Sequence, residues 1–118
     1  MLDDQDLKEF SDTIFTGVTV GAGSLILLFS GILQFELSRR AHIMLQCIFE
    51  CYENGSVQSG HGEDMYSSPL LFGYLNHQVT HATFDAVSNL SLYFDDGKYL
   101  KIIAERNTVE PYVVTTQR

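Results

Sequence analysis

Ile43-Met44-Leu45-Gln46-Cys47-Ile48-Phe49-Glu50-Cys51-Tyr52, followed by Glu53-Asn54-Gly55-Ser56-Val57-Gln58, is the stretch that decides the fold. Ile43, Leu45, Cys47, Phe49 and Cys51 alternate with Met44, Gln46, Ile48, Glu50 and Tyr52. A period of two puts the first, wholly apolar set on one face of an extended chain, and that face must point to a core. Asn54-Gly55 then supplies two residues that accept positive φ, the strongest short signal for a tight hairpin, with Ser56-Val57-Gln58 starting the return strand.

Outward from this stretch the same period recurs. Ile14, Thr16, Val18 and Val20 alternate with Phe15, Gly17 and Thr19, and Gly21-Ala22-Gly23 makes a turn before Leu25 to Phe29. Ser30-Gly31 reads as a further turn, with Ile32 to Leu37 continuing the meander and Arg39-Arg40-Ala41-His42 as a polar break. Ser59 to Pro69 is loop material, and Leu70 to Leu75 fits a helical turn or a short strand. Val79 to Phe84, Leu90 to Phe94, Tyr99 to Ala104 and Val109 to Thr115 read as strands, with Asp95-Asp96-Gly97 as a hairpin turn and Pro111 near a strand start or edge. Leu2 to Ser11 is the exception. Asp3, Asp4 and Asp6 crowd its first turn, where the helix dipole favours negative charge, and Leu7 and Phe10 share a face.

There is an internal echo. Ser24 to Gly31 matches Asn89 to Gly97 once a residue is inserted in the turn, with apolar strands before (Phe15 to Val20; Val79 to Phe84) and after (Ile32 to Leu37; Tyr99 to Ile103). Phe72-Gly73 is a further candidate echo of Phe15-Thr16-Gly17. The expected architecture is mostly β (α+β): an antiparallel sheet or half-barrel of two similar β-hairpin units with a short N-terminal helix. Residues 1–118 form a single domain, a length that buries a core without staples.

Charge narrows the function. Seven basic residues against 15 acidic ones give a formal charge of −8, and no Lys or Arg occurs from Ala41 to Gly97. Such a chain repels phosphate backbones and anionic lipid and attracts cationic partners, so nucleic-acid binding and membrane-surface binding are not expected. The uncharged stretch Thr13 to Gln34, followed by Arg39-Arg40, mimics a membrane span, but its glycines, threonines and period of two favour strands. The acidic start is unlike a secretory signal. Cys47 and Cys51, four apart on a strand, lie about 13 Å from each other, beyond disulfide reach. Two free thiols imply a reducing compartment, and the expected location is the cytoplasm.

No catalytic or cofactor motif stands out, so the expectation is a non-enzyme without cofactor or metal. His77 and His81 lack the glutamate of a zinc-protease signature, since Gln78 stands there. Cys47 and Cys51 lack a second ligand pair. Gly60-His61-Gly62-Glu63-Asp64 is the loop that most resembles an acid–base site, with a solvated turn as its plainer reading. Tyr52 and Tyr66 flank the acidic region from Glu53 to Asp64, and tyrosine beside carboxylates suits protein recognition.

Phe15-Thr16-Gly17-Val18-Thr19-Val20, Leu25 to Phe29, Leu90 to Gly97, Leu100 to Ile102 and Val109-Glu110-Pro111-Tyr112 together resemble the small immunity proteins of bacterial polymorphic-toxin and contact-dependent growth inhibition systems. The resemblance spans residues 13–115 and rests on hydrophobic pattern and turns. Tyr112 departs from it, standing where the family commonly has Trp. The resemblance implies a protein that occludes a cognate toxin, with a basic nuclease domain as the expected type. It carries over no binding residues. The charge reading places the contact on Glu50, Tyr52, Glu53, Glu63, Asp64, Tyr66, Asp95 and Asp96. The competing expectations are a structural or regulatory β module that self-associates or binds another cellular protein, with an apolar edge near Val113-Val114 suited to strand pairing, and a small enzyme or ligand binder using His61, Glu63 and Asp64, or His77 and His81.

Overall fold

The structure, a computed structural model, describes residues 10–33, 36–85, 87–104 and 112–116. Among the described residues nine strands form two antiparallel sheets. Sheet A is ordered β1 (Thr13–Val20), β2 (Leu25–Leu33), β3 (Glu36–Leu45) and β9 (Tyr112–Thr116). Sheet B is ordered β5 (Ser56–His61), β4 (Ile48–Glu53), β8 (Tyr99–Ile102), β7 (Leu90–Phe94) and β6 (Val79–Phe84). Neither sheet closes into a barrel. A 3-10 helix, Met65–Tyr74, joins β5 to β6. The two sheets share one core, in which Phe15, Phe29, Phe49, Leu27, Leu92 and Leu100 are almost entirely buried. Each such side chain contributes about 1.5–3 kcal/mol by leaving water.

The deciding stretch keeps its alternation: Ile43, Leu45, Cys47, Phe49 and Cys51 are all buried. Yet it is two strands. The chain leaves sheet A at Gln46-Cys47 and enters sheet B without losing phase. That crossing is packed tightly, because the Gly62 N–H donates to the Cys47 carbonyl at 2.8 Å and a Cβ at Gly62 would be driven into the Leu45 carbonyl. The Asn54-Gly55 turn follows, with φ of 50° and 80°.

Several expectations need correction. Ser30-Gly31 is not a turn; β2 runs through it to Leu33, with a register shift between Gly31 and Ile32. Arg39 to His42 is part of β3, because pairing with β2 extends past the apolar run. β5 continues to His61, and the supposed loop to Pro69 becomes the 3-10 helix, capped by the Asp64 side chain. Phe72-Gly73 lies in that helix and echoes nothing in β1. Of the expected N-terminal helix from Leu2 to Ser11, residues 2–9 lie outside the described residues, and so do residues 109–111 of the expected last strand.

The echo between the two hairpins extends much further than the sequence shows. β1-β2-β3 and β6-β7-β8 are antiparallel meanders with matching pairing. Each first strand carries one bulged threonine. Thr16 sits between the pairs Phe15–Phe29 and Gly17–Leu28, and Thr80 between Val79–Phe94 and His81–Tyr93. Each bulge hydroxyl donates 3.2 Å to the opposing carbonyl, of Leu28 or Tyr93. Asp12 and Asn76, at matched places ahead of the bulges, both adopt left-handed φ, 68° and 69°. Phe10 meets Phe29 edge-on at 5.3 Å, and Tyr74 meets Phe94 at 5.0 Å with the rings tilted by 52°. Ile43 and Leu45 of β3 therefore match Leu100 and Ile102 of β8.

The fourth strands are exchanged. β4 follows β3 along the chain but pairs with β8, and β9 follows the second meander but pairs with β3. Each half completes the sheet of the other, so neither half holds a full sheet alone. β5 is an addition, found beside β4 and not beside β9 among the described residues.

Candidate functional site

The outer face of sheet B carries one row across all five strands: Val57, Tyr52, Tyr99, Tyr93 and His81. Phase explains it. Cys51, Leu100 and Leu92, each next in the chain to a member of the row, are buried in the core, so the row points out. Tyr52 and Tyr99 stack at 4.2 Å and 6°, His81 and Tyr93 at 4.3 Å and 7°, and Tyr93 and Tyr99 at 5.2 Å and 26°. These spacings bracket the distance of about 4.8 Å between adjacent strands. Rings stacked at that spacing stand upright on the sheet. Their faces are turned toward one another, and the three tyrosines remain partly exposed. That arrangement is a ridge with apolar flanks.

Glu50 lies in the next row, opposite Lys101, and accepts a 2.8 Å hydrogen bond from the Tyr52 hydroxyl. Holding that proton against a carboxylate pushes Tyr52 up to about 12. Glu50 and Tyr52 thus act as one unit on the ridge's flank.

The remaining expected contact residues are split between the two ends of β4. Ile48 to Glu53 spans about 17 Å at about 3.3 Å per residue. At the Asn54-Gly55 end, Lys98 Nζ lies 3.3 Å from Glu53 and 3.6 Å from Asp96, and it donates to the Gly73 carbonyl at 3.3 Å. His77 sits 2.9 Å from Asp95 and 3.5 Å from Asp96. The His77 hydrogen bond, with help from the Gln78 N–H, holds Asp95 below its ordinary value. His77, Asp95 and Asp96 gather three groups that resemble metal ligands. The Lys98 ammonium on Asp96 already supplies a cation there. His81, paired with His77 in the zinc reading of the sequence, belongs instead to the ridge.

At the other end lie Glu63, Asp64 and Tyr66. Asp64 accepts from the Tyr66 N–H at 3.0 Å and from the Ser67 hydroxyl at 3.4 Å, so both its oxygens serve the helix cap. His61 Nδ1 accepts from the Glu63 N–H at 3.1 Å. The loop that resembled an acid–base site is built as a cap. Tyr66 is 86% exposed.

A recess of about 270 Å³ lies between the β4–β5 hairpin and the 3-10 helix, with Cys51, Glu53, Gln58 and Tyr74 among its lining. Burial pushes the Cys51 thiol up to about 11, which keeps it protonated and unreactive. Both cysteines are buried, and neither is in a disulfide.

The ridge was missed from the sequence, although half of its signal was present. Tyr93 and Tyr99 flank the Asp95-Asp96-Gly97 turn at equal phase, which puts them side by side in any hairpin. What the sequence lacks is the pairing of β4 with β8 and β6 with β7, which aligns Tyr52 and His81 with them. No helix among the described residues is long and apolar enough to cross a membrane. Comparison with protein-family models, curated proteins and solved structures returned no match to this chain.

Proposed function

We propose that this chain is a stoichiometric protein inhibitor, an immunity protein that docks on a cationic toxin domain through the aromatic ridge of sheet B. The observation that carries this reading is the internal comparison. The places in sheet A that match His81, Tyr93, Tyr99 and Tyr52 are Gly17, Leu28, His42 and Thr115. The fold is therefore made without the ridge in one half, and the ridge serves something other than folding. Upright tyrosines offer large, rigid area with polar tips, the residue type that anchors protein interfaces.

Charge supplies the approach. The formal charge of −8 raises the encounter rate with a basic partner, and the Glu50–Tyr52 pair places a carboxylate beside the ridge. Glu53, Asp95 and Asp96 contribute to this long-range field while bonded to Lys98 and His77. A nuclease toxin domain, whose groove is cationic because it holds phosphate, is the partner that suits both terms, and the cytoplasm is where such a toxin acts. Inhibition is by occlusion and needs no chemistry from the chain.

The test is capture with tagged protein from its own cells, washed at low and then high salt. One basic partner at a one-to-one ratio, released by Tyr93→Ala with Tyr99→Ala, is the expected result. A partner retained by that double variant would overturn the ridge as the contact.

A further inference from the structure

Sheet B ends at β5, and the bonds of the β4–β5 hairpin show what that edge offers. Glu53 and Ser56 flank the two-residue turn and exchange both backbone bonds. By alternation Cys51–Gln58 and Phe49–Gly60 do the same, so the N–H and C=O groups of Val57 and Ser59 point away from β4. The far side of β4 agrees. The Ile103 N–H donates to the Ile48 carbonyl at 2.9 Å, which turns Ile48, Glu50 and Tyr52 toward β8. His61 is in phase with Val57 and Ser59, and there the 3-10 helix meets the edge. Ser67 Oγ accepts from the His61 N–H at 3.1 Å, and the His61 carbonyl accepts from the Asp64 N–H at 3.0 Å. Among the described residues no group does the same for Val57 or Ser59, and no strand lies beyond β5. Ser56 to Ser59 are all exposed, Val57 by 48%. The strand has none of the lysines, prolines or bulges that guard sheet edges.

The surroundings of this edge are acidic at close range. From Ile48 to Tyr74 the chain carries Glu50, Glu53, Glu63 and Asp64 and no Lys or Arg. Lys101 stands opposite Glu50, and Lys98, 21% exposed, reaches Glu53 at 3.3 Å from beneath, leaving that carboxylate 55% exposed. Ser56 and Gln58 share a face with Cys51 and Glu53, and all four line the recess under the hairpin, with Leu70 on its wall. In an added antiparallel strand the residues facing Ser56 and Gln58 put their side chains on that same face, above the recess. A lysine or arginine there lays its stem toward Leu70 and its charge at Glu53. The residue facing Val57 falls on the outer face instead, at the end of the ridge row.

We propose that the edge of β5 takes an extended segment of a partner protein as a sixth, antiparallel strand of sheet B, with lysine or arginine facing Ser56 and Gln58. Backbone pairing with Val57 and Ser59 attaches the segment, and Glu53 selects its charge. A second copy of the chain is a poor occupant, because its β5 has no Lys or Arg and brings the same four carboxylates to the seam. The edge and the ridge are tested apart: a peptide probes the edge alone, so failure of either leaves the other standing.

The probe is the peptide Thr-Lys-Val-Lys, blocked at both ends, whose residues face Ser59, Gln58, Val57 and Ser56 in turn. Amide hydrogen exchange on the intact protein is the readout. Slowed exchange at Val57 and Ser59 is expected, with Gln58 unchanged because Cys51 already holds it. N-methylation of the Thr and the Val should remove this protection, at a cost of about tenfold or more in affinity. N-methylation of the two lysines, whose N–H groups point off the sheet, should leave it. Glutamate in place of lysine should weaken binding by about tenfold as well. Glu53→Gln should weaken the lysine peptide several-fold and leave a glutamine version unchanged. Ser59→Pro removes an N–H that points off the sheet, so the variant should fold and fail to protect Val57. No protection, or protection indifferent to which residues are N-methylated or to lysine against glutamate, would overturn the proposal. So would Val57 and Ser59 amides already slow in the free protein, whether at all concentrations (the chain covers its own edge) or only at high concentration (a second copy covers it).

Discussion

Sheet A and sheet B were built on one plan and differ in what they show to solvent. Inward, the match is close: Phe29 with Phe94, Leu27 with Leu92, Leu25 with Leu90, Ile43 with Leu100 and Leu45 with Ile102. Outward, Gly17, Leu28, His42 and Thr115 stand against His81, Tyr93, Tyr99 and Tyr52. Core positions are bound by volume, since a methylene gained or lost is felt by every neighbour. Outer positions have no such constraint. A row of four stacked rings at free positions of one sheet, absent from the other, is the difference on which the proposed contact rests.

The inward match is the part that should be hardest to break unequally. Phe29 and Phe94 are 1% and 4% exposed, and each meets the aromatic ring that precedes its meander. Phe29→Ala and Phe94→Ala should each cost about 3–5 kcal/mol in urea unfolding at unchanged slope. Because each half completes the other's sheet, both variants should unfold in a single transition. Two resolved transitions, or losses that differ several-fold, would show that the halves are separate folding units.

The outward difference predicts a separation of stability from binding. Tyr93→Ala with Tyr99→Ala removes three stacked contacts, worth roughly 0.2–1 kcal/mol each in stability. If the ridge is the contact, partner affinity should fall by about 2 kcal/mol or more, some 30-fold. Leu28→Ala and His42→Ala, at the matched places of sheet A, should leave partner affinity within about twofold. Titration calorimetry against the captured partner would measure both. Equal losses from the two sheets would remove the distinction on which the functional reading rests.

Much of this comparison was legible in the sequence, and the limit is physical. Period two and the Asn54-Gly55 and Asp95-Asp96-Gly97 turns encode strands and hairpins because both are local properties. The echo between Leu25–Phe29 and Leu90–Phe94 was readable for the same reason. The third strands were misaligned, because β2 and β3 extend their hairpin to Leu33 and Glu36, whereas β7 and β8 turn directly after Phe94. The exchange of β4 and β9 left no trace, since strand partners distant in the chain carry no local signal. For that reason the acidic residues looked like one patch. Glu53, Asp95 and Asp96 fell to one end of β4, Glu63, Asp64 and Tyr66 to the other, and only Glu50 and Tyr52 joined the face where Tyr93, Tyr99 and His81 stand.

The first turns of the two meanders allow the finest test of the comparison. The matched bonds are Gly21 N–H to Ser24 at 2.9 Å and Asp85 N–H to Asn89 at 3.1 Å. In sheet A the turn is glycine-rich and uncharged; in sheet B it is held by a carboxylate. Asp85 accepts the backbone N–H of Asn89 at 3.0 Å and of Val87 at 2.9 Å, and the Asn89 amide at 2.9 Å. These bonds, the Asn89 N–H foremost, hold Asp85 below its ordinary value of 3.8. A carboxylate with a lowered folded value stabilises the fold above its unfolded value, and that contribution is lost as pH falls through the folded one. Asp85→Asn keeps an acceptor and removes the charge. Its deficit against the unaltered chain should be largest at neutral pH and shrink as pH drops below 3.8, when Asp85 itself takes a proton. Hydrogen exchange should place the added acid sensitivity at the β6–β7 turn and not at the β1–β2 turn. A deficit independent of pH would mean that geometry, not charge, holds the second turn, and that the two halves differ there in shape alone.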